Sequence, residues 1–334
     1  MRATWSVFIF ASWATAACAA DGPDLARYGV TPSLLYSGDF ASDISGGVAR
    51  GSTWSGALQV RLAADLNQAL GWQGVTFFAD GLALHGGQPS GLVGDAQGVS
   101  NIAAKPDLLL YEAWLQVNIP GVPLSVLVGR YDLNTEFYVL ESATVFLNSS
   151  FGIGPEFGLS GVAGPSIYPD TSLGLRLDYK PADNVVIRFA ALDGVPVDRP
   201  NHHWGLFESG DGVLLTGEIA FLARAESDEK RTRTNLGRLS NLPPYDDKFA
   251  IGGWYYTTSL PDQSDRDLSG TPVRSEGSGG VYAILDKMLY RGEADRKISA
   301  FLQVGAGDDR VNRFGAYLGF GIEAAGFVPG RAWT

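Results

Sequence analysis

Two stretches of the chain place polar and charged side chains at every second position between apolar ones. "YEAWLQVN" (111–118) sets Glu112, Trp114, Gln116 and Asn118 against Tyr111, Leu115 and Val117. "SLGLRLDY" (172–179) sets Arg176 and Asp178 against Leu173, Leu175, Leu177 and Tyr179. Arg188 stands in "VIRF" and Glu218 in "LTGEIAF". Carboxylates accept hydrogen bonds and guanidinium groups donate them, so a mixture of the two suits hydroxyl groups, which do both. An indole such as that of Trp114 offers a flat apolar face beside them. This is the chemistry of reversible recognition. Covalent chemistry finds less support. Glu112 and Glu218 could be cast as the carboxylate pair of a glycosidase, but they stand among many other charges. The histidines are His85, His202 and His203, and none is placed with a serine as nucleophilic catalysis requires. His202 and His203 with Asp198 and Asp211 lack the spacing of a compact metal site, and no cysteine or third histidine stands near. No cofactor is implied.

Side chains that alternate in this way belong on strands. "LQVRLAADL" (58–66) and "KISAFLQV" (297–304) repeat the pattern. The composition agrees: Gly is abundant at 43, aromatics reach 11%, and charged residues make up only 18%, a balance that favours β structure over helix. The formal net charge of −11 excludes nucleic acid as a partner, because phosphate binding needs a basic surface. Roughly twelve strands are expected, near 30–37, 54–66, 74–85, 107–118, 123–131, 171–179, 184–193, 212–222, 248–258, 279–289, 297–305 and 313–322. Short connections (119–123, 180–184, 291–296) take turns with long ones (86–106, 132–170, 194–211, 259–278), as they do in outer-membrane barrels. The charged stretch 223–247 breaks that rhythm. The connection 132–170 is too long for an ordinary loop, and it is expected to fold inward and narrow a channel.

The N-terminus reads as an export signal over residues 1–20. Arg2 supplies the positive start, "WSVFIFASWATAA" the apolar region, and "ACAA" the small residues before a cut after Ala20. The only cysteine, Cys18, would leave with it. Beyond this leader no apolar run approaches the ~18 residues that a membrane helix needs. If the chain spans a membrane, it does so with strands.

Several segments in order resemble the carbohydrate-selective porins of the OprB type. They are "LARYGVTPSLLYSGDFASDISGG", "DLNQALGWQGVTFFADGLALHGG", "LLLYEAWLQVNI" followed by "LSVLVGRYDLNTEFY", "VFLNSSFGIGPEF", "YPDTSLGLRLDYKP", "HHWGLFESGDGVLLTGEIAF", "GVYAILDKMLY" and "GAYLGFGIEAAGFVPGR". The resemblance runs over nearly the whole of 21–334. It implies an all-β protein, a transmembrane antiparallel barrel of sixteen strands in the Gram-negative outer membrane. Such a barrel contacts outer-membrane lipid and passes mono- or oligosaccharides by passive diffusion, without enzymatic activity. The similarity also implies a narrowing at Arg130, Asp132, Asn134 and Glu136, to which the strand residues Glu112, Trp114, Arg176, Arg188 and Glu218 would add. Arg130 shares its parity with Val126 and Val128, so a bulge or strand end must turn it inward. The strands that follow "GFVPGR" in the family have no counterpart here, so a C-terminally shortened chain is expected, with a smaller barrel of about twelve strands as the alternative. Single and homo-oligomeric channels both stay open. The alternative to a porin is a secreted or surface β-rich protein that binds or cleaves carbohydrate.

Overall fold

The computed structural model describes residues 25–196, 210–223, 245–293 and 296–327, together with the backbone of 7–16. Asp198, His202, His203, most of the charged stretch 223–247, the expected cut after Ala20 and the last residues 328–334 lie outside the described part. The described chain is all-β, with short helical turns between strands, and forms two compact units: residues 1–118 with 147–149, and residues 119–146 with 150–334.

In the first unit five antiparallel strands follow one another in chain order: β1 (Val7–Ala16), β2 (Val30–Ser45), β3 (Gly51–Asp65), β4 (Val75–Gly86) and β5 (Asp107–Asn118). β1 falls within the segment read as a leader; its backbone runs along β2, with Val7 opposite Ser45 and Ala16 opposite Leu35. β2 extends well beyond the expected 30–37, through "SGDFASDIS". That stretch is rich in Ser, Gly and Asp and reads as loop. It continues as strand because Asp39, Ala41 and Asp43 are buried on one face while Phe40 and Ile44 are exposed on the other. Asp65 ends β3 and caps the short turn Leu66–Leu70, its carboxylate accepting from the backbone of Asn67 and Gln68, which is the usual role of an N-cap acid.

The second unit holds β6 (Leu124–Tyr131), β7 (Ser172–Ala182), β8 (Val185–Asp193), β9 (Val213–Ala223), β10 (Asp247–Arg266), β11 (Pro272–Arg291), β12 (Lys297–Gly307) and β13 (Ala316–Ala325), again antiparallel and in chain order. The expected long loop 259–278 is instead the outer end of the β10–β11 hairpin. The ladder continues through Ser259 opposite Glu276 and Arg266 opposite Pro272, with two register shifts. It closes in a tight turn in which the Asp267 carboxylate accepts from the backbone of Ser269 and Thr271. Polar composition hid this part because a strand standing clear of apolar surroundings needs no apolar face.

The two faces of these strands are reversed relative to a soluble protein. On β7 the exposed side chains are apolar, with Leu175 39% exposed, while Arg176 is 0% exposed. The same reversal recurs along β8, β9, β12 and β13, where Ile187, Phe189, Ile219, Phe221, Leu302, Val304, Phe320 and Ile322 are exposed and Arg188, Glu218, Gln303 and Glu323 are buried. In water this would be unstable; in hydrocarbon it is what an apolar solvent selects. Among the described residues no helix is long and apolar enough to cross a membrane.

Candidate functional site

The buried face of the second unit carries a row of side chains set by strand register. Ser125, Asp178, Arg188, Glu218, Gly252, Tyr282 and Gly305 stand directly opposite one another across β6 to β12. Acid, base and acid alternate in its first half, so each charge has an opposite charge as cross-strand neighbour. Glycine opens its second half. A Cβ on Gly252 would stand 2.3 Å from the Tyr282 ring, and one on Gly305 would stand 2.0 Å from Glu156. Those glycines give floor space to bulky groups lying on the wall.

The segment 132–171 lies against this row and is held to it largely through its backbone. Arg188 donates to the Glu136 carbonyl at 2.9 Å and pairs with Asp178 at 2.7 Å. Glu218 accepts from the Tyr138 backbone N–H at 2.8 Å and from the Tyr282 hydroxyl at 2.9 Å. Lys248 donates to the Val139 carbonyl at 2.8 Å and pairs with Glu218 at 3.4 Å. Asp286 accepts from the Ser142 N–H at 3.1 Å and from its hydroxyl at 2.6 Å. Arg176 pairs with the Glu136 carboxylate at 2.7 Å, and the Tyr131 hydroxyl donates to the same carboxylate. Burial pushes the Glu136 carboxyl upward, but Arg176 and Arg188 together outweigh it and hold the group below its ordinary range. Charges fixed on rigid strands thus grip a non-repetitive segment whose own backbone polar groups would otherwise be buried without partners.

The segment was expected to fold inward, and it lies on the face opposite the exposed apolar side chains. Its effect on the charged residues is to cover them. Glu136, Arg176, Arg188 and Glu218 are each at most 3% exposed, so they meet the segment's backbone and one another. Asp132 caps a tight turn, accepting from the Asn134 N–H at 2.8 Å, and Asn134 donates to the carbonyls of Phe137 and Gly152. Arg130 is not turned inward by a bulge: the register Val128 opposite Leu175 and Arg130 opposite Leu173 runs without a shift. It keeps the parity of exposed Val128 and interacts electrostatically with Asp170.

Glu112 and Trp114 belong to the first unit. On β5 they are joined by a hydrogen bond from the indole N–H to the Glu112 carboxylate at 3.3 Å, and Trp114 packs on Phe78 with ring centroids 5.2 Å apart. Glu112 stands opposite Asp80, which stands opposite Arg61 and pairs with it at 3.0 Å. Tyr111 departs from the expected alternation. The register slips between Asp80 opposite Glu112 and Gly81 opposite Leu110, a bulge at Tyr111 that turns its side chain to the buried face beside Glu112.

Lys248, Asp286, Tyr138 and Glu156 were not picked out from the sequence. Parity could have found the first two: Lys248 alternates with Ala250, Gly252 and Trp254, and Asp286 with Tyr282 and Ile284, all of them buried or glycine. Tyr138 and Glu156 lie in irregular chain, where parity carries no signal. Among the described residues no group of three or more His, Cys, Asp or Glu side chains is placed to hold a metal.

Residues 49–333 match the sequence profile of the carbohydrate-selective porin, OprB family. Among solved structures, the high-pH structure of Pseudomonas putida OprB is similar with a TM-score of 0.77 at 19% identity, over 92% of this chain and 74% of that one. The low-pH structure of the same protein gives a TM-score of 0.55 at 14% identity, over 92% and 75% of the two chains. No curated protein sequence matches the chain.

Proposed function

Since the chain belongs to the carbohydrate-selective porin, OprB family, we propose that it forms a water-filled channel through which carbohydrates diffuse passively across a Gram-negative outer membrane. The observation that carries this reading is the reversal of faces. Apolar side chains such as Leu175 point outward and charges such as Arg176 and Glu218 point to the side on which the segment 132–171 lies. An exposed apolar surface of that extent, repeated on strand after strand, would drive a secreted sugar-binding protein to aggregate; in lipid it is the required exterior. Family membership implies a channel rather than an enzyme. Residues 1–20 act as the export leader, and the surrounding partner is outer-membrane lipid.

The inward segment narrows the path. Its buried anchors, Glu136, Arg176, Arg188 and Glu218, act on sugars indirectly: they hold the constriction in one shape, so that the solute meets a preformed polar surface. Asp132 and Asn134 shape the turn that carries this surface, Arg130 supports the segment from the outer face through Asp170, and Glu112 with Trp114 forms a separate polar patch within the first unit. A neutral polyhydroxy solute can exchange ordered waters at such a surface one for one, which an apolar solute cannot do. Weak, replaceable contacts are what a passive channel needs, because tight binding would stop release.

The test is removal of residues 150–165 from the segment, followed by single-channel recording in a planar bilayer with candidate sugars as blockers. Conductance is expected to rise and sugar block to weaken. An inserted, folded deletion variant with unchanged conductance and block refutes the constriction.

A further inference from the structure

The inward segment has two arms in the second unit, and they are held by different chemistry. The first arm, 132–146, is gripped by ions on the strands, as described above. The second, from 150 onward, is held by neutral groups: Gln303 donates to the Phe151 carbonyl at 3.1 Å, and Phe157 stacks on Trp254 with ring centroids 4.3 Å apart and planes 10° from parallel. Two side-chain hydrogen bonds and a ring contact join the arms. Asn134 donates to the Gly152 carbonyl at 3.0 Å, the Tyr138 hydroxyl donates to Glu156 Oε1 at 2.9 Å, and Phe146 packs on Phe151 with ring centroids 4.9 Å apart.

Tyr138 is unusual in its backbone. Its φ is 63°, and among the described residues it is the one residue other than glycine in the left-handed region. A bulky side chain adopts that conformation only where its surroundings fix it, and such residues concentrate where precise placement matters. Here the surroundings do fix it: its N–H is held by Glu218, its ring packs 4.4 Å from the Tyr282 ring, and its hydroxyl is held by Glu156. Gly154 leaves the room this needs, since a Cβ there would stand 2.5 Å from the Tyr138 hydroxyl and 2.2 Å from Glu156 Oε2.

Glu156 is fully buried, and its Oε2 has no hydrogen-bond partner among the described residues. The titratable groups that face it are Tyr138 from the first arm and Tyr317 from β13; β12 presents Gly305, whose backbone lies directly beneath the carboxyl. No cation is among them. This sets Glu156 apart from Glu136, which has two guanidinium groups beside it.

The geometry points to Tyr138 and Glu156 as positioning residues that latch the two arms together and fix the width of the constriction, the latch holding while Glu156 carries its proton and loosening when it ionises. The inference rests on the constriction reading given above. Its physical basis is the environment of Oε2. A neutral carboxyl there leaves one unpaired hydroxyl, whereas a carboxylate leaves a buried charge with no cation beside it, only the Tyr138 phenol and the Glu156 backbone N–H as donors, which is far more costly. Burial accordingly pushes the Glu156 carboxyl up from its ordinary 4.5. The latched form therefore binds the proton more tightly than a released, hydrated arm. Latch strength is fully present below the ordinary carboxylate value and is lost as pH rises through the raised one.

The experiment uses the full chain folded in detergent, with Tyr138→Phe and Glu156→Gln, and follows amide hydrogen exchange corrected for the intrinsic pH effect. In the wild type, amides of 150–160 should exchange about tenfold faster at about pH 8 than at about pH 5 beyond that correction. Glu156→Gln should abolish this dependence, and Tyr138→Phe should speed the same amides at the lower pH, with 136–142 unchanged in both. A wild-type pH response retained in Glu156→Gln, or 150–160 unaffected by Tyr138→Phe, overturns the latch. Exchange decides the latch independently of conductance. If deletion of 150–165 leaves conductance unchanged while exchange behaves as expected, the constriction reading fails and the latch between the arms stands.

Discussion

Replacing Lys248 by methionine keeps the length of the side chain and removes its charge. The strand itself should persist, because Lys248 pairs through its backbone with Leu222 on one side and Asp286 on the other. Two losses follow. The Val139 carbonyl loses its donor at 2.8 Å, which for a buried acceptor costs about 1–3 kcal/mol. Glu218 loses a cation at 3.4 Å but keeps the Tyr138 N–H and the Tyr282 hydroxyl. Arg188, opposite Glu218 on β8, still compensates that carboxylate, so the total stays below the about 3–5 kcal/mol of a buried charge left alone. That cost falls on the docking of the segment, so the population of the undocked form should rise about tenfold to a hundredfold. The assay is hydrogen exchange at residues 136–142 together with single-channel conductance: exchange should quicken and current noise and mean conductance should rise. The double variant Glu218→Gln with Lys248→Met removes both charges and leaves an amide oxygen to accept from Tyr138, so part of the loss should be recovered. Exchange within about twofold of wild type in the single variant, or a double variant no better than the sum of its parts, would refute the view that this ion pair holds the segment.

Other outcomes follow from the same geometry. Leu175→Arg places a charge on the lipid side and should cost about 2–4 kcal/mol near the bilayer midplane, read as a lower denaturant midpoint of the folded protein in lipid. A cysteine at 175 should resist a water-soluble thiol reagent in the bilayer, and ready labelling there would overturn the face assignment. The first arm should respond to acid in the sense opposite to the second. Because Arg176 and Arg188 hold the Glu136 carboxyl below its ordinary 4.5, its contribution to docking is present above that value and is lost as pH falls through the depressed one. Amides of 136–142 should therefore loosen only at a pH under 4.5, and loosening between about pH 5 and about pH 8 would contradict the assignment.

The strands and their faces were legible in the amino-acid sequence because period-two alternation is a local property: each residue's side is set by its neighbours along the chain. The twelve expected strands from β2 to β13 all form, and Glu112, Arg176, Asp178, Arg188 and Glu218 lie buried on the face that alternation gave them. Local reading failed in two ways. Where polar residues continue a ladder, as in "SGDFASDIS" and at the tip of the β10–β11 hairpin, composition reads loop, and only pairing with the next strand reveals otherwise. Where one residue is inserted, as at Tyr111, parity flips, and only the register against β4 locates the slip. The placement of the site was beyond local reading for a deeper reason. Sequence put Arg176, Arg188 and Glu218 on a polar face, which in a barrel implies water. The length of 132–170 pointed to inward folding, but only the tertiary structure decided which charges the segment covers, because it is irregular. Its position is fixed by contacts with residues far along the chain, from Val139 to Lys248 and from Ser142 to Asp286. Alternation along a strand determines which way a charge points; what it meets there is determined by chain that returns from elsewhere.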